Sequence, residues 1–345
     1  MIRPFSRRAL LVFAALGALA CARGDGARDS TAAATTPGDS GVVIALIAKS
    51  ANNPVFLAAR SGAEAAAREL STKHGLRIAV RWMTPPQEDG QVQAQRIQQA
   101  VNDGVHAILI SASDAGKVAG AIDDAVARGV AVMTFDSDVP QSKRFAYYGV
   151  DDVATGRQLM AELATLVNGR GRIAVLAGNQ NAPNLQQRVQ GVREEAAKHP
   201  AITIAGVFNH VETPQDAAAE VIRVNNAYPD VTGWAFVGGW PLWTPALLDD
   251  VDPARIKVAS VDALPVQLAY VERGVVPVLL AQPVYRWGWV GVETIVDHVH
   301  FRKPVPARIP MELVRVTKDN LGAWARQLRD WGFTDVPPAY LDLPR

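Results

Sequence analysis

The chain has 345 residues, 49% of them hydrophobic and 20% charged, with 35 basic against 34 acidic side chains. That length accommodates two packed domains, the composition excludes a disordered polyelectrolyte, and a formal net charge of +1 gives no global field for nucleic acid or an anionic membrane. Cys21 is the only cysteine, which excludes a disulfide, a thiolate zinc site, an iron–sulfur cluster and a cysteine nucleophile in the body of the protein.

Arg3, Arg7 and Arg8 precede an apolar run over residues 9–19, long enough for a secretory signal core and too short to span a bilayer. Ala18-Leu19-Ala20-Cys21 resembles a bacterial lipobox, in which Cys21 is lipidated and becomes the mature N-terminus. Leu19 stands one place late for that motif, and Ala18-x-Ala20 also fits an ordinary secretory cleavage site. Ser6–Leu11 resembles part of a twin-arginine signal. Removing residues 1–20 takes away three arginines and no acid, lowering the formal charge from +1 to −2. Residues 22–41 are rich in Ala, Gly, Asp, Ser and Thr without apolar periodicity, the composition of a solvated tether.

From Val42 onward, strand and helix patterns alternate. Val42–Ala48 reads as a strand buried on both faces, and Pro54–Leu70 as a helix opened by Asn52 or Asn53 and Pro54. Strand 76–82 with helix 90–103, strand 105–111 with helix 114–128, strand 130–135, and strand 145–149 with helix 152–168 complete the first half. The second half runs through strand 171–177 and helix 184–198, strand 202–208 and helix 214–227, and strand 232–237 and a helix near 242–250. Strand 256–261 with helix 265–273 and strand 276–281 with helix 286–299 follow. Strand 310–316, an amphipathic segment at 319–331 and Pro337-Pro338 close the chain. Two such halves in series predict an α/β protein with two doubly wound parallel-sheet lobes.

Open parallel sheets bind ligands beyond the carboxyl ends of their strands. Residues just past the predicted strands are Asn52, Asn53 and Phe56; Ser111 and Ser113; Asp136, Ser137 and Asp138; Asn179 and Asn181; Gly238, Gly239 and Trp240; Asp262; and Gln282. Amides and carboxylates exchange hydrogen bonds with hydroxyl groups, and aromatic rings stack on the C–H face of a sugar. The set suits a neutral polyhydroxylated ligand, although any single Asn or Asp after a strand also serves as a helix cap. Lys49 reads either as a donor to a ligand oxygen or as a solvated or interlobe ion-pairing lysine.

Asn52-Asn53-Pro54-Val55-Phe56, Gly104–Ile110, the Asp114–Ala127 helix, Val132–Asp138, Tyr148–Asp152, Arg188-Val189-Gln190-Gly191, Val261-Asp262-Ala263 and Ala281-Gln282-Pro283 occur in an order that resembles the type I periplasmic sugar-binding proteins. The resemblance covers about residues 42–316. It implies a solute receptor of an ABC importer whose two lobes, 42–147 plus 283–310 and 148–282 plus 311–345, close on a sugar through a multi-strand hinge. It assigns ligand contact to Asn53, Phe56, Asp136, Asp262 and Gln282, and places Ser137, Gln186 and Gly239 where the family carries Arg, Arg and Asn. A shift of one position would put Trp240, with Trp243 near it, in the site. Val55 replaces a stacking Phe. These departures argue against naming ribose and keep other sugars and autoinducer-2 open.

The implied partners are a sugar-like ligand, a permease in the inner membrane and, through Cys21, the membrane itself. The implied form is a monomer in the periplasm or cell envelope, without nucleic acid, metal or cofactor. A ligand-sensing subunit for a membrane signalling protein is the alternative. No nucleophile elbow, P-loop or dinucleotide loop occurs, so no enzyme is expected. Asp123-Asp124, Asp151-Asp152 and Asp249-Asp250 read as helix-end acids, and Trp287, Trp289, Trp324 and Trp331 as packing.

Overall fold

The computed structural model describes residues 41–343 apart from 244, 246, 247 and 250. The signal-like run, Cys21 and the tether before residue 41 lie outside the described residues.

β1 (Gly41–Ile47) leads into α1 (Pro54–His74), whose first turn holds Pro54 and is capped by Asn53, accepting from the Val55 amide at 3.1 Å. Proline there forfeits no helical hydrogen bond. β2 (Arg77–Trp82), α2 (Gly90–Asn102), β3 (Ala107–Ile110), α3 (Ala115–Ala127), β4 (Ala131–Phe135) and β5 (Ala146–Gly149) follow. Next come α4 (Asp152–Leu166), β6 (Arg170–Ala177), α5 (Pro183–Ala196), β7 (Ala201–Asn209), α6 (Pro214–Ala227), β8 (Val231–Phe236), β9 (Lys257–Val261), α7 (Leu268–Glu272) and β10 (Val278–Ala281). α8 (Tyr285–Val299), β11 (Arg308–Pro310), β12 (Val314–Val316), α9 (Leu321–Asp330) and α10 (Pro338–Leu341) end the described chain.

The strands form two six-stranded sheets in the orders β2-β1-β3-β4-β5-β11 and β7-β6-β8-β9-β10-β12. Every pairing is parallel except β10 with β12. The α/β fold with two doubly wound sheets is therefore present as expected. The chain changes sheet after β5, after β10 and between β11 and β12; the expected lobe boundary at 147/148 falls inside β5, which belongs whole to the first sheet.

Two expectations need correction. Residues 310–316 are not one strand: Pro310 ends β11 at the edge of the first sheet, and β12 begins at Val314 in the second. Proline, lacking an N–H, suits an edge strand's end. The helix expected near 242–250 is, in its described part, a 3₁₀ turn at Trp240–Trp243, where Pro241 and Pro245 remove amide donors from a continuing helix.

Helices α1 and α8 cross against the first sheet, α4 and α5 against the second, and both crossings run through glycine. A Cβ on Gly62 would overlap the Tyr285 carbonyl and one on Gly288 that of Ala59; likewise Gly156 faces the Arg188 carbonyl and Gly191 that of Val153. Only a missing side chain lets the backbones approach so closely. These crossings fix where the first turns of α1 and α5 lie, and both turns reach the space between the sheets.

Candidate functional site

β4 and β9 occupy the same place in their respective sheets, and each delivers an aspartate at its carboxyl end. Asp136 has φ 55° and Asp262 φ 68°, left-handed conformations uncommon outside glycine, and each donates its amide to the next strand, to the carbonyls of Tyr148 and Leu280. Such strain at two equivalent buried positions marks a candidate functional site.

Each carboxylate is held by neutral donors. Asp136 accepts from Ser111 Oγ at 2.7 Å and Asn184 Nδ2 at 3.0 Å; Asp262 accepts from Gln282 Nε2 at 3.0 Å and the Gly239 amide at 3.2 Å. An ionised carboxylate accepts about four hydrogen bonds, so both retain capacity. Asp136, Asp262, Gln282, Asn53 and Arg188 line one cavity of ≈30 Å³ between the sheets, walled by Phe56, Trp240, Trp243 and Trp287.

The cations are committed to the protein. Arg188 donates from Nε to Asp152 at 2.8 Å, from one terminal nitrogen to the Val237 carbonyl and from the other to Gln282 Oε1, both at 3.0 Å. Lys49, 2% exposed, donates to Asn184 Oδ1 at 3.1 Å and lies 3.9 Å from Asp136. Burial alone would lower the Lys49 pKa, but the carboxylates of Glu212, Asp136 and Glu88 outweigh it and raise it. Burial pushes Asp262 up, and pushes Asp152 up to about 6 against the pull of Arg188. At the rim, Asn179 bridges two acids, donating its side-chain amide to Glu88 and its backbone amide to Glu212, both at 3.2 Å. Burial and then the Glu212 charge push Glu88 up to about 8.

Of the residues expected at the site, Asn53, Phe56, Asp136, Trp240, Asp262 and Gln282 line this cavity. Ser137, Gln186 and Gly239 do not. Ser137, which follows the left-handed Asp136, is fully buried. Gln186 is exposed in a separate groove of ≈350 Å³ and donates to the Gln180 carbonyl. On α5 the cavity is lined by Asn184, Leu185 and Arg188, with Asn184 and Arg188 four apart on one face; Gln186 lies on the other. Gly239 supports Asp262 through its amide, and its neighbour Gly238 lines the wall.

Asp138, another acid past β4, is held by Arg144 and Thr134. Asn184, Arg188 and Glu212 line the cavity although the sequence does not single them out as ligand residues. Asp152 is more than a helix-end acid, since it pairs with Arg188, and Trp287 is more than packing, since it walls the cavity. For Arg188, which opens the motif Arg188–Gly191, the available signal is its i, i+4 spacing from Asn184. Lys49 is not solvated: it ties the first sheet's strand end to α5.

A model of the periplasmic binding protein domain matches residues 44–303, and the chain belongs to that family. It is 28% identical over 148 residues to the ribose import binding protein RbsB of Bacillus subtilis, spanning 43% of this chain and 46% of that one. The D-apiose import binding protein of Actinobacillus succinogenes is 25% identical over 196 residues, 56% of this chain and 61% of that one. Against these two relatives the chain thus spans about half to three fifths of their length. RbsB of Escherichia coli is 25% identical over 283 residues, 80% of this chain and 90% of that one. Among solved structures, a solute-binding protein of Agrobacterium radiobacter in complex with D-arabinose has a TM-score of 0.76 at 20% identity, covering 85% of this chain and 99% of its own. One of Burkholderia graminis, also with D-arabinose, has 0.74 at 24% identity, covering 81% and 96%. The fold is that of the type I periplasmic binding proteins, and these relatives are binding and transport proteins.

Proposed function

We propose that this protein captures a monosaccharide in the cleft between its two lobes and presents it to the permease of an ABC importer. The observation that carries this reading is the pair of equivalent strand-end carboxylates, Asp136 and Asp262, facing one interlobe cavity with unused acceptor capacity and aromatic walls. Hydroxyl groups donate to the carboxylates, and the ring's C–H faces pack on Phe56 and the tryptophans. Asn53, Gln282 and Arg188 complete the polar surroundings of the ligand. No bond is made or broken: a sugar that touches both lobes binds the closed form more tightly than the open one, so it shifts the population to the form that the permease reads. The lobes hinge at the three sheet crossings. The protein acts as a monomer in the periplasm, after export directed by residues 1–20, with Cys21 as lipid anchor.

The test is a thermal-shift screen of the full chain against D-ribose, D-arabinose, D-tagatose, D-fucose and autoinducer-2. A ligand at 1,000 times its Kd stabilises the folded state by roughly 4 kcal/mol. A rise in midpoint that Asp136→Ala and Asp262→Ala each abolish is the expected result. A shift by autoinducer-2 alone favours the sensing role, and no shift by any compound removes the reading.

A further inference from the structure

The interlobe pocket is rich in acceptors, and its two cations already have protein partners, yet one donor in its wall has none. Trp287, in the first turn of α8, is 1% exposed and lines the cavity. Its ring stacks on Phe56, with centroids 6.1 Å and planes 29° apart, and tilts against Phe135 at 5.8 Å. Its indole N–H is buried without a hydrogen-bond partner, alone among the described residues that line the cavity. Other tryptophans are satisfied: Trp243 donates to Gln267, Trp234 to Asn225 and Trp324 to the Ala263 carbonyl. A buried donor without an acceptor carries a desolvation penalty that any oxygen brought to it removes.

Packing alone does not account for an indole here, because a phenylalanine would stack on Phe56 without burying a polar group. The indole N–H donates and never accepts, so it distinguishes an oxygen from a methylene at the point it faces. Carboxylates elsewhere in the pocket do the converse, preferring hydroxyl hydrogens.

We infer that Trp287 is a further ligand-binding and specificity-determining residue, its indole N–H donating to an oxygen of the bound sugar. The pocket thereby selects ligands with a hydroxyl, ring or carbonyl oxygen facing the first turn of α8 and rejects analogues deoxygenated there. A site built to hydrogen-bond a substrate oxygen discriminates far more sharply than an apolar one, since the rejected analogue leaves the buried N–H unpaired. The inference rests on the sugar-capture reading.

The experiment titrates the full chain and its Trp287→Phe variant with D-ribose and D-arabinose and their deoxy analogues by calorimetry, and follows the indole N–H resonances of the ¹⁵N-tryptophan-labelled wild type. The expected result is about tenfold weaker binding of the parent sugar by Trp287→Phe, one lost hydrogen bond. One deoxy analogue should lose a similar factor on the wild type and nothing further on the variant. The Trp287 resonance, identified by its proximity to Phe56 and Phe135 ring protons, should move on saturation with sugar. If sugar binds both proteins equally, or binds while that resonance stays in place, the inference is overturned and the capture reading stands. If neither sugar binds the wild type, both fall together for these pentoses. Should the variant fail to fold, the wild-type resonance decides alone.

Discussion

Helices α1 and α5 hold the same place in the two lobes, and their first turns carry opposite chemistry. Each follows the first strand of its sheet, and each crosses a neighbour at a glycine pair, Gly62 with Gly288 and Gly191 with Gly156. Aligned on Gly62 and Gly191, Ala59 corresponds to Arg188, Phe56 to Leu185 and Val55 to Asn184. Val55, Phe56, Asn184, Leu185 and Arg188 all line the cavity. The first lobe thus offers an apolar helix wall and the second an ionic one. Duplicate scaffolds place side chains at matching points and leave their chemistry free, so one lobe presents an apolar surface while the other anchors a hydrogen-bond network.

The aspartates differ in the same sense. Asp262 is held by its own lobe, through Gly239 and Gln282, whereas Asp136 takes one of its bonds from Asn184 across the cleft. Asp136 therefore depends on the other sheet's α5 for part of its hydrogen bonding, and Asp262 does not.

The sharpest way to break the contrast is at Arg188. Arg188→Leu makes α5 apolar like α1 and strands the buried Asp152, so unfolding free energy in urea should fall by about 3–5 kcal/mol. Adding Asp152→Leu should return most of that stability while sugar binding stays lost; no recovery would mean that Asp152 is not the stranded charge. The glycine crossings come next. Gly156→Ala and Gly288→Ala each drive a methyl into a carbonyl and should cost about 1–3 kcal/mol. Comparable losses support equivalent helix pairs, and a loss at only one site breaks the equivalence.

A further contrast concerns the acids where the lobes meet. Glu88 keeps its proton to about pH 8 in the folded chain against an ordinary 4.5, so folded protein binds more protons than unfolded throughout that window. Stability therefore falls as pH rises from about 4.5 to about 8. Asp152, raised from 3.8 to about 6, acts with the same sign at lower pH. Glu88→Gln should flatten the decline in melting temperature between pH 6 and 8 and weaken it between about 4.5 and 6, where Asp152 still acts; an unchanged profile would remove Glu88 as its source.

Much of the architecture is legible in the sequence because strand and helix periodicities and caps are local. Asn53 and Pro54 mark the start of α1 by their own hydrogen bonding and fixed φ, whatever surrounds them. Asp136 and Asp262 are legible as residues just past apolar runs. Gln186 is misplaced by the sequence because spacing alone does not tell which side of a helix faces a cleft, and Arg188 stays hidden for the same reason. The split of residues 310–316 is invisible there, since both pieces are β-compatible and only pairing partners separate them.

The sequence by itself determined the alternation of strands and helices, the two-sheet class and the polar residues at strand ends, all of which follow from periods of two and 3.6 residues and short-range caps. Only the tertiary structure decided which of those residues share a cavity, that Lys49 and Arg188 are neutralised within it, and that the Trp287 N–H stands without an acceptor. Those outcomes depend on pairings between residues far apart in the chain, such as Lys49 and Asn184, which are 135 positions apart, and no local pattern encodes such distances.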